Sequence, residues 1–119
     1  MGENERIVTL LETESGICPF DRWFQGVRDK KARASIGSKI TLLQDATYNN
    51  FKSVGEGVYE LRIFLGPGYR IYFAFSGSTV VVLIAGGDKN SQEEDIKKAK
   101  HIWKEYKDEI EKHKRELSL

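Results

Sequence analysis

Apolar and polar positions recur along this chain with two different periods, and the changes of period mark its elements. Ile7 to Leu11 is a short apolar run with β-branched residues and predicts a first strand. Pro19 suits the first turn of a helix, where its missing N–H is harmless. Phe20, Trp23, Phe24 and Val27 follow at i, i+3, i+4 and i+7, one apolar helical stripe. Asp29 is placed to cap a second helix, on which Ala32, Ile36, Ile40 and Leu43 share a face. Ala46 to Gly57 reads as a loop by composition. The period then shortens to two. Val58–Leu65, Tyr69–Phe75 and Thr79–Ala85 are predicted strands, joined by Gly66-Pro67-Gly68 and Ser76-Gly77-Ser78. Connections so short make antiparallel hairpins, because a parallel crossover needs a dozen residues or more. Beyond Gly86-Gly87 the helical period returns, with Ile96, Ala99, Trp103, Tyr106 and Ile110 in one stripe and Ser91 with Glu94 as a capping box. The order β-α-α-β-β-β-α predicts an α+β fold: a small antiparallel sheet with its helices packed on one face.

Alternation fixes which hairpin side chains share a face. Tyr59, Leu61, Ile63 and Leu65 point one way, and Glu60 and Arg62 the other. On the next strand Tyr69, Ile71, Phe73 and Phe75 oppose Arg70 and Tyr72. A one-residue slip would bury the charges, so Glu60, Arg62, Arg70 and Tyr72 must lie together on the outer face. The turn leaves open whether Arg62 and Arg70 stand opposite or diagonal.

Size and composition add bounds. The 119 residues suit one domain spanning 1–119, with 104–119 as a C-terminal helical extension. An apolar share of 39% against a charged share of 31% argues against global disorder. Net charge is only +1, but Arg22–Lys39 holds six basic residues and one acid, and Ile96–Arg115 eight basic residues and four acids. Such stretches suit a polyanion or an acidic partner; solvated helix faces are the plainer reading. Cys18 is the sole cysteine, which excludes an intramolecular disulfide and a cysteine-rich metal site. His101 and His113 lack metal-ligand spacing. The polar start of the chain and the lack of an apolar stretch of membrane length lead us to expect a cytoplasmic protein.

Two neighbouring arginines repel unless an anion or a carboxylate sits between them. Glu60 as that carboxylate makes an ordinary ion-pair ladder. The functional alternative is a phosphate platform, since guanidinium matches phosphate bidentately, with Tyr72 stacking on a base. Gly86-Gly87-Asp88-Lys89 leads into a helix start, where anions are favoured, and Lys89 would add a third cation; a plain turn capped by Asp88 is the alternative. Lys52 is a further candidate phosphate contact. A nucleotide-binding phosphate loop is excluded by the absent Gly-x-x-x-x-Gly-Lys-Ser/Thr spacing.

Three segments in this order, Lys52-Ser-Val-Gly-Glu-Gly-Val-Tyr-Glu-Leu-Arg-Ile63, Gly66-Pro-Gly-Tyr-Arg-Ile-Tyr-Phe73 and Gly86-Gly-Asp-Lys-Asn-Ser-Gln92, resemble the RelE/ParE toxin superfamily, and within it the HigB-like addiction-module killer proteins. The similarity runs from about Phe20 to Trp103. The resemblance implies the toxin of a type II toxin–antitoxin system, partnered by an antitoxin of helix-turn-helix type. It implies a metal-independent, cofactor-free endoribonuclease that cleaves mRNA on the ribosome and so inhibits translation. On that pattern Arg62, Arg70, Lys89 and Glu60 are the expected catalytic residues, Glu60 as a base, with Lys52 and Tyr72 contacting RNA. Glu60 stands where RelE carries a lysine, and Asp95 lies about where RelE supplies an aromatic. ParE-like relatives share the fold but inhibit DNA gyrase without catalysis, the alternative the resemblance leaves.

Overall fold

The first two helices form as their patterns require. Pro19 opens α1 (Pro19–Gly26), which buries Phe20 and stacks it on Phe24. The Asp29 side chain accepts from the backbone of Lys31 and Ala32 at the start of α2 (Lys30–Leu43), whose buried face is Ala32, Ile36 and Leu43. Arg33 locks the two helices together. Its Nη1 donates to the carbonyls of Phe24 and Val27, at 2.9 and 3.2 Å, and its guanidinium lies 4.4 Å from the Phe24 ring centre. The Phe24 carbonyl also accepts from Val27 N at 3.1 Å, so Arg33 adds to the closure of the end of α1. This computed structural model describes residues 4–117.

Five strands make one sheet: β1 (Ile7–Leu10), β2 (Lys52–Gly55), β3 (Val58–Ile63), β4 (Tyr69–Ser76) and β5 (Val80–Gly87), in the spatial order β1-β5-β4-β3-β2. The β3–β4 and β4–β5 hairpins are antiparallel, as expected. Two corrections concern the sheet. The expected loop 46–57 contains β2, a four-residue edge strand paired to β3. β1 pairs in parallel with β5, so the sheet is mixed, not purely antiparallel. Short turns dictate antiparallel pairing, but the long path from β1 through two helices imposes no direction on it. The element order is therefore β-α-α-β-β-β-β-α.

A third correction concerns the layers. Helices cover both faces of the sheet. α1 and α2 close one core with Leu61, Ile63, Ile71, Phe73, Val81 and Leu83. α3 (Gln92–Leu117) lies across the other face, where Ala99 and Trp103 pack on Val58, Tyr72, Ala74, Val82 and Ile84. The physical reason is β5, apolar on both sides, which needs a cover over each.

β5 carries a bulge. Tyr72 pairs with Ala85 but Phe73 with Leu83, so Ile84 and Ala85 both turn toward α3. The extra residue sits just before Gly86-Gly87 and bends the strand end. At the opposite border, β1 leaves Ile7 and Leu10 exposed, at 44% and 41%. No helix among the described residues is long and apolar enough to cross a membrane.

Candidate functional site

Register places the chemistry-bearing side chains in two rows across the sheet. Lys52, Glu60, Tyr72 and Ala85 are successive Cα partners on β2, β3, β4 and β5. Arg62, Arg70 and Gly87 form the next row. The two arginines therefore face each other directly, and Glu60 stands one row away on the same side.

Glu60 is the hub. It is 1% exposed. Arg62 Nε donates to its Oε1 at 2.9 Å, and Gln92 Nε2, from the first turn of α3, donates to Oε2 at 2.8 Å. Arg70 Nε lies 3.5 Å from Oε2 and Lys52 Nζ 3.8 Å from Oε1. Burial pushes the Glu60 carboxyl toward neutrality. The hydrogen bonds from Arg62 and Gln92 and the charges of Arg62 and Lys52 outweigh it, and hold the group below the usual glutamate range. It is ionised at neutral pH, with both oxygens engaged.

Arg70 is 7% exposed, and its Nη1 donates to the carbonyl of Gly68 at 2.9 Å. Its Nε points at Glu60 without completing a hydrogen bond. Arg62 and Lys52 keep part of their side chains in solvent. Three cations thus surround the Glu60 carboxylate, and a second carboxylate, Asp95, lies against Gly87 in the row of the arginines.

Tyr72 is placed otherwise than expected. It lies in the same row as Glu60 but is fully buried under α3, so its ring offers no face to a base. Its hydroxyl makes no hydrogen bond. Burial, and then the negative charges of Glu60 and Asp95, raise the phenol far above its ordinary value, with Arg70 opposing. The outer face expected from alternation is covered by a helix, and only its margin is open.

The Gly86-Gly87 turn is explained by close approach. A Cβ on Gly86 would collide with the Trp23 ring, and one on Gly87 with the Asp95 carboxylate. The glycines admit α1 on one face and α3 on the other. Asp88 then caps a single 3-10 turn, Lys89–Ser91, accepting from the backbone of Asn90 and Ser91, while Ser91 Oγ accepts from Asp88 N. The capping box is therefore Asp88 with Ser91, one turn before the expected Ser91–Glu94 pair. Ser91 Oγ also bonds Asp95 Oδ2 at 2.5 Å. Lys89 is exposed. A Cβ placed on Gly68 would lie 3.6 Å from Arg70 Nη1 and 3.7 Å from Lys89 Cβ, so Lys89 and Arg70 flank the same turn.

The fold thus brings Lys52, Glu60, Arg62 and Arg70 into one cluster, sets Lys89 at its margin and seals Tyr72 beneath it. Gln92 is a member that patterning gave no reason to single out. It closes the motif segment Gly86–Gln92, but its contact with Glu60 spans 32 positions. His101 pairs with Glu105 on an exposed face of α3. Among the described residues no group of His, Cys, Asp and Glu side chains is arranged to hold a metal ion. The open groove lined by Val8, Leu10, Phe20, Phe24, Ile40 and Leu83 belongs to the α1–α2 side of the sheet, away from these charges.

Comparison with known proteins places these residues in a family. An uncharacterised protein of Haemophilus influenzae is 41% identical over 86 residues, covering 72% of this chain and 87% of that protein. Residues 22–117 match the family described as phage derived protein Gp49-like (DUF891), so the cluster, the turn and all of α3 fall inside the match. That family is associated with toxin–antitoxin modules. By that match, over most of its length, the chain belongs to the Gp49-like family of phage-derived proteins.

Proposed function

We propose that this chain is the toxin of a type II toxin–antitoxin pair, acts in the cytoplasm, and cleaves mRNA on the ribosome without a metal. The observation that carries this reading is the cluster of Lys52, Arg62 and Arg70 around a single buried carboxylate, with Lys89 at its margin. Such a surplus of fixed cations suits the phosphate backbone of RNA. In the reaction a ribose 2′-oxygen attacks the adjacent phosphorus, and the bond to the 5′-oxygen of the next nucleotide breaks. Negative charge grows on the phosphoryl oxygens, and preorganised guanidinium groups stabilise it without having to reorganise.

The residues divide the work. Arg62 and Lys52, which reach solvent, contact phosphate. Arg70, nearly buried, adds its charge from behind and braces the turn through Gly68. Lys89 is the exposed amine beside the arginines and serves as proton donor to the leaving oxygen. Glu60 holds the cations in place, and takes the 2′-hydroxyl proton on its Oε1 once Arg62 turns from it to the phosphate. The antitoxin, a helix-turn-helix protein, neutralises the toxin by binding it.

Mapping transcript ends after induced expression tests the reading. Wild type should arrest growth and produce new 5′ ends within coding regions, and Arg62→Ala should reduce both at least tenfold with the protein still folded. Growth arrest with intact transcripts, and supercoiling inhibited in a purified gyrase assay, would replace it by a gyrase-directed toxin.

A further inference from the structure

Phe64 is 89% exposed, about twice the exposure of any other large apolar side chain among the described residues, the next being Ile7 at 44%. Its surroundings say which way it faces. Ile63 and Leu65, on either side of it, both pack into the core under α1 and α2. Phe64 is therefore turned off that core, toward the side of the sheet that carries Arg62, two positions earlier. Two positions along a strand is about 7 Å, the scale of one nucleotide. The chain around and beyond it is braced: Leu65 N donates across Phe64 to Ile63 O at 3.0 Å, Gly68 N to Leu65 O at 3.1 Å, and Arg70 Nη1 to Gly68 O at 2.9 Å. A side chain of the cation cluster thus fixes the loop that presents the ring.

We propose that Phe64 stacks on a nucleobase of single-stranded RNA next to the phosphate held by Arg62. The inference rests on the RNA-cleaving reading above and gives that site its base contact, in place of Tyr72. A bare phenyl ring has no hydrogen-bonding group, so it can recognise a base only by its π face, which all four bases share. The contact is tolerant of sequence. It also requires an unpaired strand, because bases within a duplex are not free to stack on a side chain. A ring beside fixed cations matches the repeating unit of a single strand, a flat base and an anionic phosphate.

Two probes test it: a fluorescein-labelled single-stranded hexaribonucleotide followed by anisotropy at low salt, and inorganic tripolyphosphate followed by calorimetry. Phe64→Ala should weaken the oligonucleotide about tenfold and leave tripolyphosphate unchanged. Phe64→Trp should restore affinity, and its added fluorescence, measured against wild type with its own Trp23 and Trp103, should be quenched on binding. Equal affinity of wild type and Phe64→Ala for the oligonucleotide overturns the proposal. So does equal loss of both probes, which would make Phe64 a support of the turn. If Phe64→Ala keeps RNA affinity but no longer pairs with the product of the adjacent reading frame, the ring is a protein contact and the proposal falls. A wild-type chain that does not bind the oligonucleotide refutes the RNA reading itself.

Discussion

Glu60 is a glutamate in a place where its charge has to be present. Its two oxygens separate Arg62 from Arg70, which are direct cross-strand partners. Glu60→Gln preserves shape but leaves two facing guanidinium groups without a counterion. Removing one partner of a fully buried pair costs roughly 3–5 kcal/mol, and solvent reaching Arg62 lowers the expected loss here to about 2 kcal/mol. Because the folded-state pKa is lowered, the unfolded chain binds more protons near the glutamate range. This contribution is complete above the ordinary value of 4.5 and is lost as pH falls through the folded value. Urea midpoints of wild type should therefore drop as pH falls below about 4.5, and Glu60→Gln should flatten that part of the profile. A flat wild-type profile there would mean that Glu60 is not clamped in solution. The same bonding explains why alternation could put Glu60 beside the arginines yet not reveal its burial: the lid is Gln92, on a helix that pairing patterns do not position.

At the scale of elements, the seam between β5 and α3 depends on an absent side chain. Gly87 faces Asp95, which in turn bonds Ser91. Gly87→Ala must push the start of α3 away from the sheet and move Gln92 off Glu60. We expect a loss of about 1–3 kcal/mol, the range for overpacking, read from the urea midpoint, together with weaker oligonucleotide binding. Unchanged stability would show that the α3 start yields freely. The β3–β4 hairpin was legible because alternation separates its charged side chains from its apolar ones, and the β4–β5 hairpin because its connection is too short for a crossover. β2 was not. Lys52 to Gly55 has no alternation of its own and is a strand only because β3 pairs with it. The stripe Ile96, Ala99, Trp103, Tyr106 was legible as a buried face, but a stripe does not say which side of a sheet it meets. The deciding clue was Thr79–Ala85, apolar on both faces, which is incompatible with helices on one face only.

Across the whole molecule, the described residues measure 51 × 33 × 24 Å. α3 helps explain the long dimension, since 26 helical residues extend about 39 Å. Its contacts with the sheet core end near Tyr106, and residues 111–116 are all exposed. The expected extension 104–119 thus divides into a beginning packed on the sheet and an exposed end, along which Glu109 and Lys112 lie near Glu14, with residues 118–119 outside those described. Removing residues 111–119 should cost less than about 0.5 kcal/mol by urea denaturation, because exposed ion pairs on such a segment contribute little. A larger loss would place the end of α3 against the body of the fold.

The bulge in β5 gives this strand something its neighbours lack, one residue of slack. Ile84 and Ala85 share a face, so the chain there is one residue longer than strict alternation needs. Losing that residue would restore an ordinary ladder, with Gly86 still toward Trp23 and Gly87 still toward Asp95. Losing any residue nearer the middle, Val82 for example, would exchange side chains between the two differently shaped cores on one side of the gap. Loss of the bulge residue alone is thus tolerable, and it changes the angle at which Gly86–Lys89 reaches the cations. The core can stay constant while the geometry of the site is adjusted.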